Sequence, residues 1–201
     1  MNKNSVHGLI LAGGQSRRLN GIDKGLLDVQ GKALVEHVAG NLKNQTDGIS
    51  IVANRSLSAY QQYAPKVLPD TITGFAGPLA GLATFAELAE SSWVAIVACD
   101  LIFLPEDWVD RLLTEALNRN QNVVCAIDKT SGKRALCAVA RRDCLASATT
   151  LLCSGQPRWM DWLAYNRAGT EPLETAKLFN INSLEDAKEA EILLKIRSLS
   201  H

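Results

Sequence analysis

Apolar runs of strand length alternate with helical stripes along most of this chain. Val6 to Leu11 (VHGLIL), Ile49 to Ala53, Trp93 to Cys99, Asn122 to Ile127 and Ala135 to Ala140 are rich in branched or small apolar residues and read as buried strands. Between them, Leu34, Val38 and Leu42 recur every four residues, and Trp108, Leu112, Leu113, Ala116 and Leu117 make a second stripe. Both stripes predict helices with one core-facing side. Leu104-Pro105-Glu106-Asp107 places a proline and two acids at a helix start, where a missing N–H costs little and the dipole favours negative charge. Ser183 with Asp186 three residues on predicts a capped final helix running to about Ile196. The alternation predicts an α/β fold, a mostly parallel sheet with helices on both faces. No repeat, low-complexity tract or Pro/Ser-rich linker interrupts it. The expected organisation is one domain over residues 1–201.

The first strand runs into an unusual loop, LAGGQSRRLNGIDK, residues 11 to 24. Gly13 and Gly14 let the backbone turn and let its N–H groups approach a ligand with no Cβ in the way. Arg17, Arg18 and Lys24 add cations suited to phosphate oxygens. Strand, glycines and cations together predict a phosphate site. A P-loop is excluded, because five residues after Gly13 stands Arg18, five after Gly14 stands Leu19, and Lys24 is followed by Gly25. The dinucleotide fingerprint G-x-G-x-x-G fails as well, since Gly14 and Gln15 follow Gly13.

Carboxylates at strand ends complete the pattern. Asp100 closes the apolar run WVAIVACD and is expected at the carboxyl edge of a buried strand, where open α/β sheets hold their ligands. Asp70, in VLPD, precedes the glycine-rich stretch Gly74 to Gly81, although Pro-Asp-Thr is also an ordinary turn. Hard oxygen ligands beside phosphates point to Mg²⁺, with Asp100 as its expected protein ligand.

Composition removes several classes of function. The formal net charge is +0, so no global basic field recruits nucleic acid, and no apolar run has the length of a membrane span. Residues 1–7 lack a signal-peptide apolar core, and a cytoplasmic location is expected. The five cysteines, Cys99, Cys125, Cys137, Cys144 and Cys153, are odd in number and form no C-x-x-C pair, which predicts buried free thiols.

The motifs resemble those of the molybdenum cofactor guanylyltransferases (the MobA family), within the three-layer, Rossmann-like nucleotidyltransferases of the nucleotide-diphospho-sugar type. The resemblance rests on LAGGQSRRLNGIDKGLL at 11–27, ANR at 53–55, Asp70, GPLAG at 77–81, CDLIFLP at 99–105 and NINSLED at 180–186. It implies transfer of GMP from GTP to molybdopterin or its molybdenum form, with release of pyrophosphate. It further implies that Leu11, Ala12, Gly13 and Gly14 hold the nucleotide, that Asn54 and Asp70 contact the guanosine, and that Asp100 holds Mg²⁺. Lys24 would neutralise phosphate charge, Arg18 would assist the departing pyrophosphate, and Asn180 and Asn182 match asparagines near the pterin side. Cofactor delivery proteins and molybdoenzymes are the further partners it suggests.

Two departures stand out: Leu19-Asn20 replaces the usual Met-Gly, and CDLIFLP lacks the proline common two residues after the acid. After Gly132-Lys133-Arg134 the chain continues Ala135-Leu136-Cys137, where many relatives carry a polar residue and proline. Arg134 and Arg158 are the remaining basic candidates for the pterin phosphate. The alternative readings are a cytidylyltransferase making the cytosine form, which LAGG rather than a TAAG-like loop disfavours, and a sugar-1-phosphate nucleotidylyltransferase. A binding module without turnover is a third, which Lys24 and Asp100 together argue against.

Overall fold

The computed structural model describes residues 5–13, 22–70, 77–173 and 180–199, with 197–199 as backbone alone. The first strand, β1 (Val6–Leu11), is followed by a 3-10 turn at Lys24–Leu26 and a two-stranded hairpin, β2 (Asp28–Val29) and β3 (Lys32–Ala33). Gln30 and Gly31 turn the hairpin with φ of 57° and 76°, the paired positive values that match the strands' own twist. Helix α1 (Leu34–Lys43) buries Leu34, Val38 and Leu42, the predicted stripe. The chain continues through β4 (Gly48–Val52), α2 (Leu57–Tyr60), β5 (Lys66–Leu68), α3 (Pro78–Ala86), β6 (Trp93–Ala98) and α4 (Trp108–Asn118). It ends with β7 (Val123–Asp128), β8 (Arg134–Arg141), α5 (Ser147–Cys153), α6 (Trp159–Tyr165), β9 (Gly169–Leu173) and α7 (Leu184–Leu199).

The main sheet has seven strands in the order β5-β4-β1-β6-β8-β7-β9. Strand β8 runs antiparallel to both of its neighbours, while β5, β4, β1 and β6 are mutually parallel and β9 is parallel to β7. The mostly parallel expectation holds, with one reversed strand. Ile10 pairs with Ile51 on one side and Val97 on the other, so β1 lies between β4, the next strand of this sheet in the chain, and β6, reached by a longer crossover. That reversal of strand order opens a crevice at the carboxyl edge.

Side chains alternate across the sheet as a period of two demands. Ile10, Ile51 and Val97 pack with Leu34, Leu42, Trp108 and Ala187 from α1, α4 and α7. Leu9, Ile96 and Ala138 pack with Leu79, Phe85 and Trp162 from α3 and α6. Three layers result.

Some expectations need correction. Leu117 is 48% exposed and lies off the buried face of α4. Cys99, Cys125 and Cys137 are buried free thiols, but Cys144 is only partly covered and Cys153 is exposed. Strand β9 (GTEPL) lacks an apolar run because it is an edge strand, where Pro172 costs no central ladder bond. No helix among the described residues is long and apolar enough to cross a membrane.

Candidate active site

Asp100 emerges just past β6 and is only 3% exposed. A buried carboxylate must be supplied with donors, and two chain segments supply them. Lys24 Nζ, from the 3-10 turn after β1, donates to Oδ2. Asn180 Nδ2 donates to Oδ1 and Oδ2 at 2.9 and 3.0 Å. Lys24 Nζ also donates to Asn182 Oδ1 at 2.8 Å, and Asn182 Nδ2 donates to the Asn180 carbonyl at 3.0 Å. The two asparagines are held by the cap of α7: Asp186 N donates to Ser183 Oγ (3.1 Å), and Ser183 N and Asn182 N donate to Asp186 Oδ2 (2.9 and 2.7 Å). This reciprocal cap is the one predicted from SLED, and it fixes the approach of Asn180 and Asn182.

A second cluster surrounds the end of β1. The Leu11 carbonyl accepts from Cys99 N (3.1 Å) and Ala12 N donates to the Val52 carbonyl (2.8 Å), so the sheet carries its ladder into the site. Asn54 Nδ2 then donates to the Gly13 carbonyl at 3.0 Å. A Cβ on Gly13 would come within 3.0 Å of Asn54 Nδ2 and 3.2 Å of Asp70 Oδ2, so the glycine is what lets both side chains close on the backbone. Burial pushes the Asp70 carboxyl above the usual aspartate range, and its hydrogen bond from Asn54 pulls the other way. Asp70 Oδ1 is buried with no hydrogen-bond partner among the described residues.

Between the clusters lies a cleft of about 190 Å³. Leu11, Val52, Ala98 and Leu136 give it apolar walls, Asp70, Lys24, Asp100 and Asn180 give it polar ones, and Gly77, Pro78 and Gly81 bring in the start of α3. A Cβ on Gly81 would stand 2.6 Å from Leu11 Cδ2, so a side chain there would push Leu11 from its place in the cleft wall. Cys99 also lines the cleft, but burial and the neighbouring Asp100 push its thiol far up. A thiol held protonated is no nucleophile at neutral pH.

Leu11, Gly13, Lys24, Asp70, Asp100 and Asn180 thus line one cleft, with Asn54 and Asn182 one hydrogen bond behind. Gly14 and Arg18, with Arg17, lie outside the described residues. Arg134 and Arg158 are exposed and are not among the residues lining this cleft. Arg134 lines a more open depression with Lys133 and Met160, and Arg158 sits at the start of α6. Asp23 and Arg55 stand inside the motifs at 11–27 and 53–55 with no role assigned to them from sequence, and Tyr60 stands in no motif. Tyr60 Oη donates to Asp23 Oδ1 at 2.6 Å, directly beside Lys24.

A family model described as a MobA-like NTP transferase domain matches residues 8–169. A molybdenum cofactor guanylyltransferase from Bordetella petrii is 34% identical over 193 residues, covering 94% of this chain and 98% of that protein. The crystal structure of molybdopterin-guanine dinucleotide biosynthesis protein A from Archaeoglobus fulgidus superposes with a TM-score of 0.74 at 20% identity, covering 94% of this chain and 98% of that one. A 4-diphosphocytidyl-2C-methyl-D-erythritol synthase from Anaerococcus prevotii gives 0.75 at 12% identity, over 96% of this chain and 100% of its own. At those identities the two structures establish the nucleotidyltransferase fold alone.

Proposed function

The chain belongs to the MobA-like NTP transferase domain family, and we propose that it is a molybdenum cofactor guanylyltransferase, moving GMP from GTP onto molybdopterin or its molybdenum form. The observation that carries this reading is the meeting of Lys24, Asp100, Asn180 and Asn182 across one cleft from Gly13, Asn54 and Asp70. A terminal phosphate oxygen of the pterin attacks the α-phosphorus of GTP. The new P–O bond forms as the bond from the α-phosphorus to the β-phosphate oxygen breaks, and pyrophosphate leaves. No protein nucleophile is needed, so the chain's work is positioning and charge stabilisation.

In this reading Leu11, Ala12 and Gly13, with Gly14 of the same loop, hold the nucleoside, and Asn54 and Asp70 contact the guanosine. The unpartnered Asp70 Oδ1 is a ready acceptor for a ribose hydroxyl or a base N–H. Lys24 neutralises phosphate charge, Arg18 assists the leaving pyrophosphate, and Asn180 and Asn182 face the acceptor.

Nucleotidyltransferases of this kind generally use a divalent metal, here Mg²⁺. The Asp100 carboxylate fits it: a hard oxygen donor lining the cleft would hold Mg²⁺, which is commonly bound by one or two carboxylates with phosphates and waters. When bound, the ion polarises the reacting phosphoryl group and offsets its charge. Lys24 meanwhile keeps a cation next to Asp100. Proteins that deliver the pterin and molybdoenzymes that receive the product are the partners such a reaction requires. The test is pyrophosphate release from GTP that depends on molybdopterin and Mg²⁺; GTP binding with no release would leave a binding module.

A further inference from the structure

Asp23 and Asp100 are the two carboxylates among the described residues that are less than a tenth exposed, at 8% and 3%. Both adjoin Lys24, one as its ion-pair partner and the other as the residue before it in the chain. Asp100 has a place in the reaction; Asp23 has none so far. Burying a charge merely to shape a turn is costly, because an uncharged turn residue would do the same at lower desolvation cost. The groups around Asp23 show what the charge is for.

Tyr60, fully buried at the end of α2, donates its hydroxyl to Asp23 Oδ1 at 2.6 Å. The Arg55 guanidinium donates to the carbonyl of Ile22 at 3.2 Å and pairs by charge alone with Asp23 Oδ2 at 3.7 Å, an oxygen with no hydrogen-bond partner among the described residues. The Asp23 carbonyl accepts from Leu26 N at 3.0 Å, which starts the 3-10 turn that presents Lys24. Gly25 completes the fit, since a Cβ there would run into the Tyr60 hydroxyl and ring. The stretch just before Lys24 is therefore held by side chains from 33 and 37 residues away, and Gly25 just after it lies against Tyr60.

The holders share a loop with the nucleoside side of the cleft. Arg55 directly follows Asn54, which is bound to Gly13, and Ser56 with φ of 52° turns the chain into α2 and Tyr60. We infer that Asp23, clamped by Tyr60 and Arg55, is a positioning residue that holds Lys24 toward the phosphates and ties it to the loop carrying Asn54. The inference rests on Lys24 acting as a phosphate-binding cation. Without the clamp, the turn could shift and carry the ammonium away from its place, and displacements near an ångström at a reacting centre cost up to roughly 10²-fold in rate.

The test is a double-mutant cycle in the full chain. Tyr60→Phe keeps the ring and removes only the hydroxyl, and its thermal transition shows whether it is folded. Turnover with GTP and molybdopterin is expected to fall roughly 10- to 100-fold. In a Lys24→Ala background the same change should alter it by no more than about twofold. Asp23→Asn, which keeps an oxygen for Tyr60, should retain more turnover than Asp23→Ala. The same cycle is read on nucleotide affinity by calorimetry, with GTP and with CTP, which needs no acceptor. A wild-type chain that binds nucleotide without pyrophosphate release would remove the transferase reading, and the affinity cycle would still decide the clamp. Equal multiplicative losses in both backgrounds, or wild-type behaviour of Tyr60→Phe, would overturn it.

Discussion

Replacing Asp100 with asparagine preserves shape while changing both charge and donor pattern. Asp100 Oδ2 accepts from Lys24 and from Asn180 at 3.0 Å, and Oδ1 accepts from Asn180 at 2.9 Å. Either orientation of the new amide turns an N–H₂ toward a group that is itself a donor. At 3% exposure no solvent relieves the conflict. A buried polar group left unsatisfied costs about 1–3 kcal/mol. In a chain of this length each kcal/mol moves Tm by about 2–4 °C, so Asp100→Asn should melt about 2–12 °C lower. Turnover should fall at least roughly 10²-fold, the scale of losing a main electrostatic stabiliser. The Mg²⁺ concentration needed for half-maximal rate should rise as the carboxylate disappears. The assay is pyrophosphate release at saturating GTP and molybdopterin, well below the variant's Tm, across a Mg²⁺ titration. A folded Asp100→Asn enzyme with turnover within a few-fold of wild type and unchanged Mg²⁺ demand would refute the assignment.

Lys24→Ala withdraws the cation from Asp100 and from Asn182, so GTP affinity and turnover should fall together; calorimetry and steady-state rates that both stay at wild-type values would return Lys24 to a structural ion pair. Asp70→Asn should act in opposite directions on stability and binding. Burial raises the Asp70 carboxyl in the folded state, so the native protein holds that proton more tightly than the unfolded chain, and stability is lost as pH rises through the raised value. The amide escapes this loss: Asp70→Asn should have a higher Tm than wild type at pH 7, the difference closing below about pH 4, while GTP binds more weakly. Melting curves at both pH values and a GTP titration check it, and a lower Tm at pH 7 would contradict it.

What was legible in the sequence followed from local pattern. β1, β4, β6, β7 and β8 are apolar runs because both faces of the sheet are covered, and Asp100 shows as the acid that ends such a run. The cap of α7 was readable because Ser183 and Asp186 act at fixed spacing. β9 and the β2–β3 hairpin were missed because edge and two-residue strands need no apolar run. The reversal of β8 lies in its connection and not in its composition: the five residues between β7 and β8 are too few for a parallel crossover, a signal that reading each apolar run by itself does not use. Asp23 and Tyr60 meet across 37 residues, and a tyrosine at the end of a four-residue helix carries no periodic signal of its partner. Arg134 and Arg158 were suggested by charge alone, which carries no position, and neither is among the residues lining the cleft that holds Asp100.

Base choice tests the central claim most directly, because the fold is shared with enzymes of other nucleotides. Guanine presents N1–H and N2–H₂ donors beside an O6 acceptor, and a smaller pyrimidine would leave part of a guanine-shaped, hydrogen-bonded pocket unpaired. Such sites discriminate by up to ~10⁴-fold. With equal GTP and CTP, Mg²⁺ and molybdopterin, mass spectrometry of the dinucleotide product should show guanine preferred over cytosine by at least roughly 10²-fold in kcat/KM. A product carrying mostly cytosine would contradict the guanylyl assignment while leaving the Lys24 and Asp100 assignments to be judged on their own variants.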